Sequence, residues 1–175
     1  MWTGRATKHC AIVLGATLLV ACSHGGEPAA PQSAWWHDID FTPTSTIVRD
    51  VDIRILDQSW ESATALDQTL LTGRVSEDEI DAFAQSPMVF SLMSDLNGDG
   101  LRETFFVGVY KTADGEQGRF VSILGEGRAP GVFKERGATG FSALMPGESE
   151  VRWYKCMECG EFESIIWSGE SYVLE

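Results

Sequence analysis

The sequence predicts an α+β domain, mostly antiparallel β sheet or open barrel, preceded by one or two helices. Two observations carry this reading. After Pro87 the chain breaks into eight short β-rich runs separated by Gly-containing turns, while helical patterning is confined to the stretch before Pro87. No internal repeat of solenoid or propeller period is visible, so the runs belong to one sheet system and not to an array.

Taken in order, residues 47–56 (IVRDVDIRIL) place Val51, Ile53 and Ile55 at period two with charged residues between, the pattern of a half-buried strand. Over residues 59–71 the pattern becomes helical, with Ala63, Leu66 and Leu70 on one face and Gly73 as the stop. Ser76-Glu77-Asp78-Glu79 is a capping-box signature, followed by Ile80, Phe83 and Ala84 at helical spacing. This helix should end before Pro87. The strand runs are 88–93, 104–111, 119–124, 131–134, 140–144, 151–155, 163–167 and 172–174. Asp114-Gly115 and Pro146-Gly147 supply hairpin turns between them, and Gly125-Glu126-Gly127 is a further turn. Trp167 and Tyr172 flank Ser168-Gly169-Glu170-Ser171 as cross-strand partners of a closing hairpin.

Before these elements the chain carries an address. Arg5 and Lys8 form a basic start, residues 11–21 are apolar or small, and Leu19-Val20-Ala21 leads directly into Cys22. The apolar run is about half of the ~20 residues that cross a bilayer. The arrangement resembles the signal peptide and lipobox of bacterial lipoproteins. That resemblance implies cleavage after Ala21, diacylation of the Cys22 thiol (palmitate among the acyl chains) and acylation of the new amino terminus. Ser23 after Cys22, where an Asp would retain the protein at the inner membrane, implies an outer-membrane anchor facing the periplasm. The expected organisation is a signal peptide over 1–21, a Gly/Pro/Ala/Ser-rich flexible tether over 22–34 and one β-rich domain over 35–175.

The chain has 13 basic and 26 acidic residues, a net charge of −13. The leader holds Arg5 and Lys8 and no acid, so the remainder is more acidic still. Such a field repels phosphate backbones, and no Lys/Arg cluster interrupts it, which argues against nucleic-acid binding. It also repels anionic headgroups, leaving membrane attachment to the acyl chains.

Asp95-Leu96-Asn97-Gly98-Asp99-Gly100-Leu101-Arg102-Glu103 is the sharpest chemical motif. Oxygen-bearing side chains fall at loop positions one, three, five and nine, with Gly at six. Calcium takes six to eight oxygens, and this spacing wraps a chain around such an ion. Asp95, Asn97, Asp99 and Glu103 would contribute side chains and Leu101 its carbonyl. An EF-hand would need an acid at position twelve, which is Phe106. The segment is similar instead to the calcium loops of FG-GAP and VCBS-type repeats, which lie between two strands. A single copy does not carry over their propeller architecture. A metal-free type I′ hairpin turn at Asn97-Gly98 is the alternative. A bound calcium here would act as a structural staple.

Cys156-Met157-Glu158-Cys159 lies between two strand runs and lacks a second ligand pair for zinc. A redox pair would open a helix, whereas the residues after Gly160 look extended. A local disulfide between Cys156 and Cys159 is the leading reading, with thiol–disulfide chemistry or transition-metal capture as alternatives. Trp35, Trp36 and Trp153 could form a sugar-stacking surface, although core packing is the simpler role. The sequence holds no G-x-S-x-G, no H-E-x-x-H and no phosphate-binding loop. The expectation is a non-enzymatic envelope lipoprotein whose calcium-stapled domain binds a protein or glycan partner. The rivals are a periplasmic inhibitor of a secreted hydrolase and a thiol–disulfide enzyme using Cys156 and Cys159.

Overall fold

The computed structural model describes residues 34–175. The leader, Cys22 and the tether up to residue 33 lie outside the described residues. Within them the architecture is mainly antiparallel β, arranged as two sheets with short helices.

One sheet is built from β3 (Trp60–Ala65), β4 (Ser91–Ser94), β5 (Glu103–Thr112), β6 (Gln117–Leu124) and β7 (Gly131–Arg136). The ten-residue β5 is long enough to pair with two strands along one edge, β4 opposite its first half and β3 opposite its second. Its other edge pairs with β6, and β6 with β7. The second sheet is a meander of β8 (Ala143–Pro146), β9 (Val151–Tyr154), β10 (Phe162–Trp167) and β11 (Tyr172–Leu174). A bridge between Val89 and Leu144 ties the two sheets at one corner. No such ladder joins β7 to β11, so the barrel is open there. All eight runs after Pro87 are strands, and Asp114-Gly115 and Pro146-Gly147 make the hairpin turns expected of them.

Alternation along the strands builds two cores. Phe105, Val107 and Val109 of β5 face Val151, Trp153 and Ile165 of the other sheet. Phe106 and Tyr110 point the opposite way, where Phe120, Trp60, Val48, Ile53 and Leu56 cover them. Trp60 stacks on Tyr110 at 5.0 Å between ring centroids. Gly108 lies where a side chain could not: its Cβ would come within 2.5 Å of the Phe120 ring and 2.6 Å of the Thr64 carbonyl oxygen. The helix α3 (Glu77–Gln85) follows the capping box as expected. Ser76 Oγ accepts from Glu79 N–H at 3.3 Å, and Glu79 Oε2 accepts from Ser76 N–H at 2.8 Å. Its buried Phe83 packs against Phe90 and Phe141, beside Trp35 of the single turn α1 (Trp35–Asp38).

Three expectations are corrected. Residues 47–56 are not one strand but a two-residue hairpin, β1 (Ile47–Val48) and β2 (Val51–Asp52), followed by the helical turn α2 (Ile53–Leu56). Arg49 and Asp50 adopt left-handed φ of 48° and 63°, which folds the chain back. The Asp52 side chain then caps the turn by accepting from Arg54 N–H. Residues 59–71 are not helical but form β3 and a 3₁₀ turn at Gln68–Leu71. Trp35, Trp36 and Trp153 are buried core and offer no stacking surface.

A charged cluster bridges the sheets. Glu135 of β7 pairs with Arg119 at 3.2 Å and Lys155 at 2.9 Å, and Lys155 also reaches Glu163 at 2.5 Å. Burial by itself would raise the Glu135 pKa. The Lys155 ion pair and the Arg119 charge outweigh burial and hold it below the ordinary glutamate value of 4.5. A carboxylate whose folded pKa is depressed stabilises the fold above its unfolded pKa, and this contribution is lost as pH falls below about 4.5. Urea midpoints should therefore drop on acidification through this window, and Glu135→Gln should flatten that drop. An unchanged slope in the variant would remove Glu135 from the account.

Candidate functional site: the acidic loop and its neighbours

The loop joins β4 to β5, whose pairing closes at Ser94 opposite Glu103. The connection thus runs over residues 95–102, which excludes the two-residue Asn97-Gly98 turn. The loop wraps on Asp95: its Oδ1 accepts from Asp99 N–H at 3.1 Å and its Oδ2 from Gly100 N–H at 2.9 Å. Asn97 Oδ1 and Asp99 Oδ1 each accept from the backbone N–H two residues on, at 2.9 and 2.8 Å. Gly98 and Gly100 take φ of +72° and +87°, conformations that side-chain-bearing residues seldom adopt. Asp95, Asn97, Asp99 and Leu101 therefore lie on one compact turn, and Glu103 is the first residue of β5 at its end.

Glu103 differs from the rest. Among the described residues it is the one charged side chain that is fully buried, at 2% exposure. Its Oε1 accepts from Asn97 Nδ2, while its Oε2 is buried with no hydrogen-bond partner. Gly125 of the β6–β7 turn roofs it so closely that a Cβ there would stand 3.2 Å from Glu103 Cγ. Tyr172 closes the other side, its hydroxyl accepting from Asn97 Nδ2 at 3.2 Å. Burial, together with the neighbouring Glu103, pushes the Tyr172 pKa up to about 12, so the phenol is neutral at physiological pH.

The carboxylates do not converge as a ready-made cluster. Among the described residues no three Asp, Glu, His or Cys side chains gather in metal-binding fashion. Arg128 instead stands on Asp99, Nη2 to Oδ2 at 2.6 Å, and lies over the Trp167 ring at 5.6 Å. Arg128, Gly125 and Tyr172 were not legible as neighbours of this loop. Only Tyr172 carried a signal, as the partner of Trp167, which it faces in register with centroids 4.9 Å apart.

The sulfurs of Cys156 and Cys159 stand at disulfide-bonding distance in the β9–β10 connection, with Cα atoms 5.8 Å apart. Cys156 is buried and Cys159 lies towards solvent. No helix follows the pair, so the dipole that activates a redox thiol is missing from this connection. A cavity of about 340 Å³ beside it is lined also by His37, Lys155 and Glu163, and sequence spacing gave no hint that His37 would lie there. No protein-family model, no curated protein and no solved structure matches the chain.

Proposed function

We propose that this protein is a lipid-anchored envelope protein, held at the outer membrane through Cys22. Its β-rich domain is stapled by calcium at Asp95–Glu103 and binds a protein or glycan partner. The observation that carries the ion is Glu103. Its Oε2 is buried without a hydrogen-bond partner, and a cation would serve as its partner. Asp95, Asn97 and Asp99 side chains and the Leu101 carbonyl would complete the ligand set. Arg128 then serves as the counter-charge of Asp99 when the ion is absent. A binding role is favoured over catalysis because the titratable groups around the loop are arranged as ligands and counter-ions, with no nucleophile paired to a base.

Calcium should raise the melting temperature. Extracellular modules of this type bind at about 10⁻⁴–10⁻³ M. A ligand at tenfold its dissociation constant adds about 1.4 kcal/mol, or a few degrees. Asp99→Ala should abolish the shift and cost the calcium-free protein about 1 kcal/mol through the lost Leu101 N–H and Arg128 contacts. Differential scanning calorimetry with millimolar calcium and with chelator reads both. An identical melting temperature in the two conditions would overturn the staple.

A further inference from the structure

Beside the acidic loop, the open side of the barrel forms a cleft of about 600 Å³ between the start of β7 and the β10–β11 hairpin. That volume lies in the range of built ligand sites. Its walls include Phe133, Trp167 and Tyr172, with Arg128 and Glu170 as the charged groups. Both flanking strands end their sheets. Gly137 N–H donates to Gln117, which fixes the hydrogen-bonding alternation of β7 so that Val132 turns its N–H and C=O away from β6. Val132 also lines the cleft, so the cleft borders an unpaired main-chain edge.

We propose that this cleft receives the free carboxyl end of an extended peptide whose last residue is apolar. This deepens the partner-binding reading above, on which it rests. The peptide runs antiparallel to β7, pairs its main chain with Val132, places its last side chain among Phe133, Trp167 and Tyr172, and sets its carboxylate on Arg128. Three features select this occupant. The exposed guanidinium is a cation suited to a carboxylate, on a chain whose net charge of −13 otherwise repels anions. Glu170 adds repulsion against acidic side chains. The unpaired main-chain edge at Val132 suits an extended peptide, which brings main-chain donors and acceptors in register. The ion site couples to the cleft because Asp99 holds one Arg128 nitrogen. An ion that engages Asp99 returns that nitrogen to the carboxylate.

The test presents the intact protein, in detergent, with a pool of randomised hexapeptides in free-acid and C-terminal amide forms, with calcium and with chelator. Free acids ending in Val, Ile, Leu or Phe should be retained, and the amides about tenfold less well. Arg128→Gln should lose the same factor while keeping its calorimetric transition. N-methylation of the peptide main chain, which alters no residue of the protein, should abolish retention. Calcium should strengthen retention by a few-fold. Equal retention of acids and amides, indifference to N-methylation, or no retention by folded protein would each overturn the proposal, as would capture of a glycan through Trp167 instead. A calcium-dependent melting shift without peptide retention overturns the cleft and leaves the ion. Peptide retention without a melting shift overturns the ion alone.

Discussion

Replacing Cys22 with Ser is expected to move the protein from the membrane fraction to the soluble periplasmic fraction almost completely. Each buried methylene of an acyl chain contributes about 0.8 kcal/mol, and two chains already give stable anchoring. On the proposed lipoprotein reading the Cys22 thiol carries the diacyl group, and Ser at this position cannot take it. Among the described residues no helix is long and apolar enough to cross a membrane, and the chain's net charge of −13 repels anionic headgroups. Fractionation followed by immunoblotting reads the outcome. If the Ser variant with its leader removed still sediments with membranes, Cys22 is not the anchor.

Trp153→Ala should be the most damaging single change within the folded domain, at about 3–5 kcal/mol. Trp153 is fully buried at the centre of the core between the sheets, and the Lys155 ammonium lies 4.5 Å from its ring centroid. Removing the indole leaves a void bounded by both sheets, each of which is held in place by its own ladder and cannot collapse into it. Against a domain stability of about 5–15 kcal/mol, that is a substantial fraction of the whole. Ile165→Val, in the same core, should cost only about 0.5–1.5 kcal/mol. Urea denaturation measures both. A loss under about 1 kcal/mol for Trp153→Ala would mean that the sheets do not pack through this residue.

The strands after Pro87 were legible because each is local: a β-rich run, a turn with Gly, and a partner that follows directly. The capping box at Ser76 was legible for the same reason. The two failures share a cause, which is that a periodicity can be imitated. Ala63, Leu66 and Leu70 stand three and four apart, as on a helix face, yet Ala63 lies in β3, Leu66 follows it and Leu70 lies in the 3₁₀ turn. Ala63 and Leu66 are buried in different cores, so their spacing reflects the strand and the connection after it and not one face. In residues 47–56 the alternation of Val51, Ile53 and Ile55 is real, yet Ile55 is 63% exposed. The Arg49-Asp50 turn and the Asp52 cap decide the conformation, and period two does not register either. The acidic loop could be read residue by residue. Arg128 and Tyr172, 29 and 75 residues from their partners in it, could not.

The contact between Asn97 and Tyr172 also sets an order of events. Apart from β3 and the Val89–Leu144 bridge, each strand pairs with a neighbour in sequence, so both sheets can form by successive hairpins as the chain is delivered from its N-terminal end. The loop around Glu103 cannot be finished on that schedule. Its backbone turn forms early, but the carboxylate stays open to water until the β10–β11 hairpin arrives. A cation held there from the outset would screen Asp95, Asp99 and Glu103 from one another throughout that interval. Calcium present during export would then act on the rate at which the domain closes, before it ever contributed to how firmly it stays closed.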